Sequence, residues 1–115
     1  MRVLIIDDNF GISEMLSKYF QSKGHDTEVI NNPSKAVNQI MNGNFDFVIL
    51  DILMPNVSGI EIINALEQKN ALQNQKIVLL SSLDLTSSQT SSLLEKDGIQ
   101  NFFKKPVRLS QINLK

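Results

Sequence analysis

Five short apolar runs punctuate the chain at similar intervals: residues 3–6, 28–30, 45–50, 77–80 and 102–103. Runs one, three and four are almost unbroken Val, Ile and Leu, which fits strands buried on both faces of a parallel sheet rather than strands with one wet face. Between the runs the apolar period changes. Ile12, Met15, Leu16, Tyr19 and Phe20 follow the i, i+3, i+4 spacing of one helix face, and Gly24 stops that helix. Asn32-Pro33 reads as an N-cap with Pro in the first turn, leading into Ala36, Val37, Ile40 and Met41 and ending at Gly43. Residues 58–66 carry Ile60, Ile62, Ile63 and Leu66. Asp84 or Thr86 can cap a polar helix that holds Leu93 and Leu94 and ends at Gly98, and residues 109–114 look like the start of a last helix. Strand and helix therefore alternate five times. That alternation predicts βαβ units with right-handed crossovers and a parallel α/β sheet covered by helices on both faces.

Composition narrows the picture without choosing a function. The 115 residues argue for one domain, and a chain of this size buries enough surface for a real core. A net charge of −1 supplies no basic field for nucleic acid or an anionic membrane. With no Cys there is neither a disulfide framework nor thiolate chemistry. No apolar run reaches membrane-spanning length and Met1-Arg2 leads directly into a strand-like run, so a cytoplasmic location is expected.

The residues that leave each run are more informative, because such sheets bind ligands beyond the carboxyl ends of their strands. Run one exits into Asp7-Asp8, run three into Asp51, run four into Ser81-Ser82 and run five into Lys104-Lys105-Pro106. Run two exits into Asn31-Asn32-Pro33, without charge. An isolated Asp-Asp pair is best read as helix caps. With Asp51 at a second strand end, gathered carboxylates repel unless one is protonated or a cation lies between them. An all-oxygen, highly charged set of this kind suits Mg2+. A carboxylate can also be a nucleophile toward phosphorus, giving an aspartyl-phosphate. Such chemistry needs positive charge on the phosphoryl oxygens, which Mg2+ and Lys105 can supply, and it benefits from a hydroxyl such as that of Ser81. Taken singly, Lys105 would be a solvated lysine and Ser81 a turn residue; their joint placement changes that reading.

With these residues in hand, the chain resembles the receiver domain of two-component response regulators. The resemblance runs through Asp7-Asp8, Asp51 with Met54-Pro55 and Gly59, Ser81, and Lys105-Pro106, in order and over essentially the whole chain. It implies a flavodoxin-like (βα)5 fold, doubly wound, with strand order 2-1-3-4-5. It implies that Asp51 is the phospho-acceptor and that Asp8, Asp51 and the Leu53 backbone carbonyl hold Mg2+, with Asp7 acting mainly through water. Ser81 and Lys105 would each bind a phosphoryl oxygen, with Ser82 as the alternative hydroxyl. Phe102 would swing inward as Ser81 moves, plain core packing being an equal alternative for it. The Lys105–Pro106 bond would be cis. Leu53 and Leu83 would flank the path of the hydrolytic water and shield the acyl phosphate. The expected partners are a sensor histidine kinase and an output protein or domain meeting the face of fourth helix, fifth strand and fifth helix, with a homodimer on phosphorylation. No nucleic-acid or membrane contact is expected of this domain, which is a switch that assists its own phosphorylation and dephosphorylation rather than an enzyme.

Several positions depart from the family pattern. Ser82 stands where a small apolar residue is usual, and Ser58-Gly59 where Asp-Gly is usual. Residues 98–101 lack the acidic pair of many winged-helix-linked receivers, and the last helix is short by a turn or two, so a single domain over 1–115, cut short in that helix, is expected. His25, in a Gly24-His25-Asp26 turn, is expected to be a solvated loop residue, so a phosphohistidine donor must come from another protein. The alternative function is a receiver-like interaction module that is never phosphorylated. A haloacid-dehalogenase-like phosphatase needs a second Asp where Leu53 stands. A flavin binder needs a Gly/Ser/Thr-rich phosphate loop where Asp7-Asp8 stands.

Overall fold

The computed structural model describes residues 1–54, 57–82 and 84–112. Its centre is a sheet of five parallel strands: β1 (Arg2–Ile6), β2 (Asp26–Ile30), β3 (Phe47–Asp51), β4 (Ile77–Ser81) and β5 (Ile99–Lys104). They lie in the order β2-β1-β3-β4-β5. The strand order reverses between β1 and β3, so the carboxyl ends of these two strands flank the crevice where such sheets take ligands.

Strand alternation divides the core. Leu4, Ile6, Val48, Leu50, Ile77 and Leu79 face one side, where α2 (Ala36–Asn42) and α3 (Gly59–Gln68) bring Ile40, Ile62, Ile63 and Leu66. Val3, Ile5, Phe47, Ile49, Val78 and Leu80 face the other, where α1 (Phe10–Ser22) brings Leu16 and Phe20. β3 and β4 are buried along their whole length, the environment their unbroken apolar runs predict.

Helix ends follow local chemistry. Asn9 caps α1 by accepting from the Ile12 N–H, so neither Asp7 nor Asp8 is used as the cap. Gly24 leaves α1 at φ +88°, in the left-handed region open to glycine. Asn32 accepts from the Ser34 N–H and starts a 3-10 turn, Pro33–Lys35, ahead of α2. Ser58 caps α3. Of the two cap candidates for α4 (Ser87–Leu94), Thr86 is the cap, in a reciprocal box with Gln89. Asp84 instead pairs with Lys104.

Other expectations are corrected. β2 and β5 are longer than their apolar runs, because their ladders continue through polar residues: Arg2 pairs with Asp26, and Val78 with Asn101. Phe45 lies outside β3, its ring under the Arg2 guanidinium 4.6 Å from the centroid. The helix expected over 109–114 is, among the described residues, a 3-10 turn at Leu109–Gln111. It gives way to extended backbone at Ile112, which is buried on the α1 side of the sheet. Residues 113–115 of that expectation lie outside the described residues, as do Pro55 and Leu83. Among the described residues no helix is long and apolar enough to cross a membrane.

Candidate functional site

Parallel strands deliver their last residues to one edge. Asp7 and Asp8 follow β1, Asp51 and Ser81 end β3 and β4, and Lys105 follows β5. The carboxylates of Asp7, Asp8 and Asp51 each place an oxygen within 4.8 Å of the others. Asp7 and Asp51 are buried and Asp8 is exposed, so the cluster has two fixed walls and one face toward water.

Lys105 reaches over this cluster. Its Nζ donates to Asp7 Oδ2 at 2.9 Å and lies 3.3 Å from Asp51 Oδ2. The Lys105–Pro106 bond is cis, and the Lys105 N–H donates to the Ser81 carbonyl at 2.7 Å. That hydrogen bond fixes where the lysine leaves the strand. The other oxygens are held by backbone: the Asn9 N–H donates to Asp7 Oδ1 at 2.9 Å and the Leu53 N–H to Asp51 Oδ1 at 3.2 Å.

Three carboxylates and one ammonium leave an excess of negative charge. Burial, and then the charge of Asp7, push the Asp51 carboxyl up from 3.8 to about 6, although Lys105 and the Leu53 N–H pull the other way. Burial by itself would lower the Lys105 ammonium, but its hydrogen bond to Asp7 and the charges of Asp7 and Asp51 outweigh that and raise it above 10.5. The cluster thus holds more negative charge than its protein partners neutralise. All its free ligands are oxygens, a donor set that fits Mg2+ and similar hard cations and does not suit soft metals.

Of the residues singled out from the sequence, Asp7, Asp8, Asp51 and Lys105 meet directly. Ser81 is fully buried at the end of β4, and Ser82 beyond it is exposed. Leu53 is 49% exposed beside Asp51. Phe102, opposite Leu79 in the ladder, is half-buried against the α2–α3 side of the core. His25 lies in the loop before β2, as expected, but is half-buried rather than fully solvated, its ring 6.2 Å from that of Phe20 and its Nδ1 3.3 Å from the Met1 ammonium. It precedes β2, at the sheet edge opposite the carboxylates.

Two contributors escape a reading based on charge. Gly59 begins α3 against the end of β3, where a Cβ would come within 2.6 Å of the Asp51 carbonyl oxygen. Asn31 follows β2 and donates from Nδ2 to the Asp7 carbonyl at 2.7 Å. The signal for Asn31 was its position, at the exit of the strand beside β1.

Comparison with known proteins agrees with this geometry. A sequence profile described as "Response regulator receiver domain" matches residues 3–115. The chain is 30% identical over 115 residues to a cyclic di-GMP phosphodiesterase of Thermotoga maritima, covering 100% of this chain and 30% of that protein. It superposes on the receiver domain of the Francisella response regulator 1452 with a TM-score of 0.84 at 27% identity, covering 96% of this chain and 88% of that one. It also superposes on the response regulator TrrA of T. maritima in complex with Mg2+-BeF, with a TM-score of 0.79 at 30% identity, covering 96% and 90%. The chain spans less than half the length of the curated relatives it matches, for example 47% of a mycobacterial response regulator MprA.

Proposed function

The chain belongs to the response regulator receiver domain family, and on that premise we propose that it is a Mg2+-dependent phosphorylation switch whose acceptor is Asp51. One observation carries the reading. The Asp51 carboxylate stands 3.3 Å from Lys105 Nζ and clusters with the carboxylates of Asp7 and Asp8, so a nucleophile, a cation site and a fixed positive charge share one sheet edge.

The donor is a phosphohistidine of a sensor kinase, since this chain's His25 stands at the other edge of the sheet. An Asp51 oxygen forms the O–P bond as the donor's P–N bond breaks, and that electron pair returns to the imidazole nitrogen. Asp8, Asp51 and the Leu53 carbonyl would hold Mg2+, with Asp7 acting through water. When bound, Mg2+ neutralises charge on the transferring phosphoryl oxygens. Lys105 transfers its contact from the carboxylates to a phosphoryl oxygen, and the Ser81 hydroxyl donates to another. Phe102 follows Ser81 inward. The face built from α4, β5 and the segment after it then changes the output partner that it prefers, by biasing an existing two-state equilibrium. Residues 1–115 act as one receiver domain, in the cytoplasm where the kinase domain works.

Incubation with a small acyl-phosphate donor, with and without Mg2+, followed by intact-mass measurement, tests this reading. A Mg2+-dependent gain of one phosphoryl group, absent in Asp51→Asn, is expected. If wild type gains nothing but still binds Mg2+, a purified kinase is the next donor to try; failure with that donor as well would leave a non-phosphorylated interaction module.

A further inference from the structure

Asp8 is the exposed member of the carboxylate cluster, and its position depends on the peptide that joins it to Asp7. Asp7 is held at four points, one of them its N–H, which donates to the Ile30 carbonyl at 3.3 Å. Its Oδ1 and Oδ2 are taken by the Asn9 N–H and by Lys105, and its carbonyl is taken by Asn31. The carbonyl contact orients the Asp7–Asp8 peptide plane, which decides where the Asp8 carboxylate leaves the backbone. Asn31 Nδ2 has two hydrogens. One is donated to the Asp7 carbonyl, with Nδ2 2.7 Å from the oxygen, and the other to Ser13 Oγ, with Nδ2 3.3 Å away. Ser13 is 1% exposed, and its own hydroxyl donates to the Phe10 carbonyl at 3.2 Å, so it meets Asn31 as an acceptor. This relay holds the amide nitrogen, rather than the amide oxygen, toward Asp7. It also joins three segments at the site: the end of β2, the peptide after β1 and the first turn of α1.

We propose that Asn31, locked by Ser13, is a positioning residue for the divalent cation: it holds the Asp7–Asp8 peptide so that Asp8 closes the carboxylate cluster with Asp51. The inference rests on the metal-dependent reading above and adds a residue without charge that does not touch the metal. Because Asn31 acts through Asp8 and not on the acceptor, its loss affects cation affinity and leaves the step at saturating cation intact. Groups that orient metal ligands in this way typically change metal affinity by about 10- to 100-fold when removed.

The test is Mg2+ titration calorimetry on the full chain for wild type, Asn31→Leu, Asn31→Ala, Ser13→Ala and Thr27→Ala. Asn31→Leu keeps a similar size but removes the donor to the Asp7 carbonyl and adds no charge beside the cluster. Thr27 bonds Ser17 and Gln21 on the same α1–β2 face, away from Asp7, and serves as the control. Both Asn31 variants should weaken Mg2+ binding roughly tenfold or more, Ser13→Ala less, and Thr27→Ala not at all. In the metal-free protein the Asn9 amide should exchange faster in the Asn31 variants. Phosphorylation from the acyl-phosphate donor should be slower at limiting Mg2+ and within about twofold of wild type at saturating Mg2+. Folded Asn31 variants with wild-type Mg2+ affinity would overturn the proposal. An equal rate loss at saturating Mg2+ would do the same, by showing that the residue acts on the acceptor or on the fold. Wild type without measurable Mg2+ binding would instead remove the metal reading on which the proposal stands.

Discussion

At the scale of single residues, the site is a balance of charge that the protein leaves unfinished. Asp51 titrates at about 6 in the folded chain against an ordinary 3.8. The folded chain therefore binds that proton more tightly than the unfolded chain does. The contribution of this group to stability is complete below pH 3.8 and disappears as the pH rises through about 6. At pH 7 without metal, an ionised Asp51 works against folding, so Asp51→Asn should stabilise the metal-free protein by on the order of 1–3 kcal/mol. Thermal unfolding in chelator measures this; a lower melting temperature in the variant would show that the pairing with Lys105 outweighs the repulsion. Mg2+ needs the ionised carboxylate, so its affinity should fall as the pH drops from 7 through about 6. Calorimetric titration at pH 5 and pH 7.5 checks that sign. Gly59 belongs to the same scale. A Cβ there would come 2.6 Å from the Asp51 carbonyl oxygen and 2.8 Å from Ile52 Cα, both backbone atoms that cannot turn away. Gly59→Ala should cost roughly 1–3 kcal/mol and slow Asp51 phosphorylation by displacing the strand end. An unaltered rate would mean that α3 does not set the position of the acceptor.

At the scale of elements, helices on the same side of the sheet are unequal in what holds them. α3 is apolar on its buried face, with Ile62, Ile63 and Leu66 all in the core. α4 has the sequence SSQTSSLL and contributes Leu93 as its single buried residue. Ser and Thr favour caps over helix interiors, so α4 leans on its Thr86–Gln89 box for definition. Thr86→Ala should cost about 1 kcal/mol. Amide exchange should report that loss as faster opening across Ser87–Leu94 with the α3 amides unchanged. Equal exchange in α3 and α4 of wild type would argue against a locally weak helix. A helix with little local stability beside Ser81 is where a switch between two arrangements needs least energy.

At the scale of the whole molecule, a site built from β1, β3 and β5 joins the first strand to the last. Lys105 spans that distance, bonding Asp7 across 98 residues of sequence. A cation bound among Asp7, Asp8 and Asp51 stabilises only the assembled sheet, so Mg2+ should raise the melting temperature according to its concentration over its dissociation constant. The rise should be larger at pH 7.5 than at pH 5 and much reduced in Asp51→Asn. A rise of the same size in Asp51→Asn would place the cation elsewhere.

The fold was legible in the sequence because burial writes itself into composition. Strands covered on both faces must be apolar along their covered length, as 47–50 and 77–80 are, and helices covered on one face must be apolar at their own period. Most of the candidate site was legible for a related reason: in a parallel sheet every carboxyl end lies on one edge, so Asp7, Asp8, Asp51, Ser81 and Lys105 could be grouped from their places in the chain. Edge lengths were not legible, since β2 and β5 extend through polar residues on the strength of ladder hydrogen bonds that any residue type can make. Asp26 and Asn101 are strand residues for that reason alone. Nor was the segment 109–112 legible, where a 3-10 turn and extended backbone at Ile112 stand in place of the helical start. What only the tertiary structure decided is which neutral residues serve the charged ones. Asn31 donates to the Asp7 carbonyl and Gly59 gives way to the Asp51 backbone because of contacts between segments distant in sequence, and such contacts leave no period and no charge to read.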